Sequence, residues 1–130
     1  MAGRGVDCMS GSRVLMVVPT LGKRPELLGQ CLESIRQQEV PLDIVLVGPT
    51  DNEVLHDAAR RFDAALREDP GGLAAAINLG VGSYGGEADF VTWLGDDDLL
   101  EPGCLSTTID ALDAHPDAVL AYGACRYIDD

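Results

Sequence analysis

The stretch "RVLMVVPTLGKRPELLGQCLESIRQQ", Arg13 to Gln38, decides the fold. "RVLMVV", Arg13 to Val18, reads as the first strand, a continuous apolar run after its first residue with no polar alternation. That is the pattern of a strand buried on both faces, as in a parallel sheet. Pro19 stops the run. Pro25 then suits a first helical position, and Glu26 suits the positive end of the helix dipole. Leu27, Leu28, Cys31, Leu32 and Ile35 follow at helical spacing. Strand, loop and helix are thus written into one segment.

The alternation continues downstream. "LDIVLV", Leu42 to Val47, reads as a second buried strand, broken by "GPTDN". Asp51 or Asn52 can cap a helix that places Val54, Leu55, Ala58, Ala59 and Phe62 on one face. "ALR" reads as a short third strand and "EDPGG" as a turn. Leu73, Ala76, Ile77, Gly80 and Val81 make the apolar stripe of the next helix. "DFVTWL", Asp89 to Leu94, is the fourth strand, and Trp93 within it reads as core. Pro102 opens a helix with Leu105, Ile109 and Leu112 inward, and "AVLAYGACRYI", Ala118 to Ile128, reads as a final strand. This order predicts an α/β fold with an open, mainly parallel, doubly wound sheet. Residues 1–12 read as a loose tail and 13–130 as one domain.

Composition narrows the function. The chain has 130 residues, 46% of them apolar and 24% charged, an ordinary globular balance. Its 22 acids against 9 bases leave a formal net charge of −13. That excludes a general nucleic-acid backbone binder, which needs a basic footprint, and docking on anionic membranes. No apolar run approaches the length of a membrane span, and the first residues carry no signal-peptide pattern. Cys8, Cys31, Cys104 and Cys125 have no metal-site spacing. Cys31, Cys104 and Cys125 read as small buried hydrophobes of a reducing, cytoplasmic compartment. No G-x-G-x-x-G or Walker A pattern occurs.

"VTWLGDDDLLEPG", Val91 to Gly103, ends an apolar strand in three consecutive aspartates. In doubly wound sheets, ligands sit outside the carboxyl ends of the strands where strand order reverses. Asp96, Asp97 and Asp98 fall just past such an end. Hard oxygen donors there suit Mg2+ or Mn2+, which are usually held by one or two carboxylates plus substrate phosphates. A divalent ion would also reverse the repulsion between these acids and a diphosphate. The plain alternative is a solvated turn whose acids favour the following helix N-terminus.

"VVPTLGKRPELLGQCLESIRQQ", "DIVLVGPTD", "GGLAAAINLGV" and "VTWLGDDDLLEPGCL" stand in the order and at about the spacing of family-2 glycosyltransferases of the GT-A fold. The resemblance runs from about Val14 to Asp130. It implies the N-terminal, nucleotide-sugar-binding half of such an enzyme, acting on a nucleotide-diphosphate sugar. By that matching, Pro19 and Thr20 line the nucleotide pocket, with Arg24, Asp51, Asn78 and Asp96 as further donor-binding residues. Asp97 and Asp98 are the metal candidates, with Mn2+ or Mg2+ as cofactor. The acceptor, whether saccharide, lipid or protein, is not specified. Gly48 and Pro49 stand where the family usually has an acidic pair, Ile77 where it often has Arg, and Gly95 where it usually has the first acid of its Asp motif. The resemblance also implies a second half with the acceptor site and a carboxylate general base. The expectation is therefore a GT-A-like domain incomplete for catalysis, binding its donor weakly.

Two other readings stand beside this one. A sugar nucleotidyltransferase uses a glycine-rich loop and basic residues after its first strand, for which this chain offers Gly22, Lys23 and Arg24. A non-catalytic binding module would show an exposed apolar edge and a homodimer. His56 and His115 read as surface residues, and Tyr84 as a residue able to stack on a ligand.

Overall fold

A computed structural model describes residues 12–128. Cys8, Asp129, Asp130 and all but the last residue of the expected tail lie outside the described residues. The elements alternate as expected: β1 (Val14–Pro19), α1 (Pro25–Arg36), β2 (Leu42–Gly48), α2 (Glu53–Arg61), β3 (Ala65–Glu68), α3 (Leu73–Tyr84), a 3-10 turn (Gly85–Glu87), β4 (Phe90–Trp93) and α4 (Cys104–Ala114). The four strands form one parallel sheet in the order β3-β2-β1-β4. Strand order reverses at β1, which lies between β2 and β4. The crevice between the ends of β1 and β4 is therefore the switch point of this sheet.

Helices cover both faces, which is why β1 has no polar alternation. Val14, Met16 and Val18 point into a core built with Ile44, Leu46, Leu28, Cys31, Leu32, Ile35, Leu55, Phe62 and Leu105. Leu15 and Val17 point the other way, with Val45 and Val47, onto Ala76 of α3. Each buried Val, Leu, Ile, Met or Phe contributes about 1.5–3 kcal/mol by leaving water. Gly80 brings α3 close to the sheet, since a Cβ there would lie 2.6 Å from Val17 Cγ1. Asn52, not Asp51, caps α2: its side chain accepts from the Leu55 N–H at 3.2 Å.

Five expectations are corrected. Ala118 to Ile128 form no strand. Apolar content alone does not make a strand; it needs a ladder partner, and this segment pairs with neither edge of the sheet. Its Val119 is 97% exposed, and Cys125 is exposed rather than buried. Trp93 is 46% exposed because it lies on the edge strand, on the face that α3 covers only over β1 and β2. Leu73, at the start of α3, is 54% exposed and faces a cavity instead of the core. His56 is half-buried, with Nε2 against the Thr50 carbonyl.

Candidate functional site

Thr20 follows the last residue of β1, and Asp96 follows β4 by three residues. Because those strands are neighbours, the two residues meet at the switch point. The Thr20 hydroxyl donates to Asp96 Oδ2 at 2.7 Å. The same hydroxyl accepts from the Gly22 N–H at 3.0 Å. Gly22 has φ +72, a left-handed conformation that lets the loop turn back over Thr20. The loop ends at Arg24, whose guanidinium reaches Asp96 Oδ1 at 3.3 Å and Asp97 Oδ2 at 3.1 Å. One guanidinium thus draws two neighbouring carboxylates together.

The aspartate loop is fastened from below by one face of α1 and the residues that follow it. The Cys31 thiol donates to the Gly95 carbonyl at 3.4 Å. The Leu100 N–H donates to Ser34 Oγ at 3.1 Å. Buried Gln38 accepts from the Leu105 N–H at 3.0 Å and donates to the Glu101 carbonyl at 3.0 Å. It satisfies one of the orphan N–H groups of α4, whose N-cap residue Gly103 has no side chain to do so. Burial, and then the charges of Asp96, Asp98 and Asp97, push the Cys31 thiol up to about 12, so it remains protonated at neutral pH. Asp98 leans back over Gly95: its Oδ2 stands 2.9 Å from the position a Cβ would take there.

Above this loop lies a cavity of about 580 Å3. Pro19, Thr20, Lys23, Arg24 and Asp96 line it. Leu21, Val47, Leu73 and Ala76 give it an apolar wall, and Asp69 adds a second carboxylate. Asp69 Oδ1 accepts from the Gly71 N–H at 2.8 Å, which shapes the turn into α3. The combination of an apolar wall, two bases and two acids suits a ligand with a flat apolar part and an anionic part.

The family model of glycosyl transferase family 2 matches residues 16–130. The chain belongs to that family. A protein described as "Uncharacterized protein y4gI" of Sinorhizobium fredii (strain NBRC 101917 / NGR234) is 30% identical over 122 residues, which span 87% of this chain and 13% of that one. The chain thus spans a small part of the curated relative it matches. Among solved structures, S. aureus TarS 1-349 superposes with a TM-score of 0.66 at 17% identity, over 88% of this chain and 38% of that one. A mannosyltransferase from Pyrobaculum calidifontis, in complex with GDP-Man and Mn2+, also gives 0.66, at 23% identity over 79% of this chain and 33% of that one. TarS 1-349 in complex with UDP gives 0.64 at 17% identity, over 80% and 33%. These likenesses show the fold, that of a GT-A glycosyltransferase.

Within this family-2 glycosyltransferase fold, Pro19, Thr20, Arg24 and Asp96 line one cavity, and Asp97 joins them through Arg24. Asp51 and Asn78 are exposed and do not line it. Among the described residues no three acids, histidines or cysteines gather into a ready metal cage. Asp69, Leu21 and Leu73 line the cavity without having been singled out as binding residues; the "EDPGG" turn signals Asp69 and Leu73, and Leu21 follows Thr20 in the loop after β1. Tyr84 is engaged by Arg67, whose guanidinium lies 5.0 Å from its ring centre. No helix among the described residues is long and apolar enough to cross a membrane.

Proposed function

We propose that this domain binds a nucleotide-diphosphate sugar, with a divalent metal, for transfer of the sugar to an acceptor hydroxyl. The observation that carries the reading is the Thr20–Asp96–Arg24–Asp97 cluster at the switch point, opening into the cavity. The apolar wall of Leu21, Val47, Leu73 and Ala76 suits the face of a base, and Lys23 and Arg24 suit phosphate oxygens. The related structures that hold GDP-Man with Mn2+, and UDP, support the same ligand class here.

The donor set fits Mn2+ or Mg2+. Asp96 and Asp97 already share one cation, the Arg24 guanidinium, so their oxygens converge on a common positive charge. Two carboxylates, completed by waters and phosphate oxygens, are the usual protein contribution for such ions. When bound, the ion would neutralise negative charge on the departing diphosphate. Asp97 would hold it, and Asp98, leaning over Gly95, would support the loop or join the ligand set. Thr20 holds Asp96 in place, and the clamp from Cys31, Ser34 and Gln38 holds the loop. The general base and acceptor site are assigned to no residue of this chain.

Calorimetry with UDP and GDP, with and without Mn2+, tests the reading. Metal-dependent binding of either nucleotide is expected. Equal affinity in both conditions, or no binding, rejects it.

A further inference from the structure

Resting on that reading, we infer that Arg24 is a resident counter-cation. It holds Asp96 and Asp97 together in the absence of metal and is displaced when metal and diphosphate enter together. Among the described residues, Arg24 is the one base within ion-pair distance of the aspartate triplet. Without it, two adjacent carboxylates would face each other with no compensating charge. Its position also frees it to move. Arg24 is the N-cap residue of α1, but its side chain makes no capping bond, and that side chain is 53% exposed. Displacement therefore costs a rotamer change and two partly solvated ion pairs, not a rearrangement of the helix.

The competition has a direction. A divalent ion arriving alone must take carboxylate oxygens from the guanidinium, which then has no other partner. A diphosphate in the cavity offers that guanidinium a paired-oxygen acceptor, for which its planar fork is suited. Metal and nucleotide thus tighten each other's binding through Arg24, in addition to their direct contact, and the coupling is reciprocal. Lys23, in the same loop and cavity, carries the same charge without an ion pair to the triplet. It provides the control for simple long-range attraction.

The test is a Mn2+ titration of the whole chain, read by the electron paramagnetic resonance signal of free Mn2+, with and without UDP or GDP. In the absence of nucleotide, Arg24→Gln is expected to bind Mn2+ roughly three- to tenfold tighter than wild type, the scale of losing two partly solvated ion pairs. Lys23→Gln is expected to change it less than twofold. The factor by which nucleotide tightens Mn2+ should fall in Arg24→Gln. An Arg24→Gln affinity for Mn2+ alone equal to wild type, or no higher than that of Lys23→Gln, overturns the inference while leaving the metal reading intact. Failure of wild type to take up Mn2+ even with nucleotide overturns the metal reading itself, and the inference with it. Arg24→Lys, which keeps the charge but not the two-pronged reach, supplies an intermediate value should Arg24→Gln prove unstable.

Discussion

Thr20 and Asp96, 76 residues apart in sequence, are joined by a 2.7 Å hydrogen bond at the ends of β1 and β4. The bond ties the two strands that flank the switch point and sets the direction of the Asp96 carboxylate. Thr20→Val keeps the shape and removes the donor. It is expected to lower stability by about 1.5–3 kcal/mol, the scale of a hydrogen bond to a charged group. Urea unfolding measures that loss, and calorimetry should show weaker nucleotide binding in Mn2+.

Gln38 fastens the start of α4 to α1 from a buried position. Gln38→Ala leaves the Leu105 N–H and the Glu101 carbonyl without that partner. The expected cost is about 1–3 kcal/mol, seen as a lower melting temperature. A melting curve that coincides with wild type would mean that water replaces the amide at no cost.

Asp97 is 42% exposed and sits among like charges. Asp97→Asn removes one acid from a crowded turn and one partner from Arg24. Its melting temperature should stay within a degree or two of wild type, on the order of a surface substitution, while Mn2+-dependent binding of UDP or GDP weakens about tenfold or more. An unfolded variant would make the carboxylate structural.

The Cys31 thiol is fully buried and held protonated, whereas Cys125 is exposed. Thiolate is the reactive form. At pH 8, a thiol reagent should label Cys125 in the folded protein and reach Cys31 only on unfolding. Mass spectrometry of labelled peptides reads each site separately.

Hydrogen bonds from Arg13 hold the Asp43 carboxyl below its ordinary value, and burial opposes them. A depressed folded value stabilises the protein above the unfolded pKa of about 3.9 and ceases to do so as pH falls through the folded value. Both side chains are about half exposed, so the pair contributes only about 0.2–1 kcal/mol. Asp43→Asn should be less stable than wild type by that amount at pH 7. The two unfolding curves should converge below about pH 4.

Several features of the site were legible because they depend on where strands end. Pro19, Thr20 and Asp96 follow apolar runs, and a parallel sheet gathers such positions on one edge. Others were hidden. Gln38 sits in a polar pair after a helix, and nothing local announces that its amide serves a helix 67 residues later. Asp51, in the turn before α2, and Asn78, in the middle of α3, are both exposed and lie outside the cavity. The glycine at 48 has a tertiary cause: a Cβ there would lie 2.1 Å from the Thr20 carbonyl oxygen.

Apolar runs and helical periodicity depend only on neighbouring residues, so the chain's own order of amino acids determined the alternation of strands and helices, the parallel sheet and the identity of the acidic loop. Partner choice depends on what the folded chain brings alongside. Only the tertiary structure decided that Ala118–Ile128 has no strand to pair with, that Trp93 sits at an uncovered edge, and that one arginine holds two of the three aspartates. Ladders, ion pairs and close backbone approaches join residues far apart in sequence, and no local pattern encodes which of them will meet.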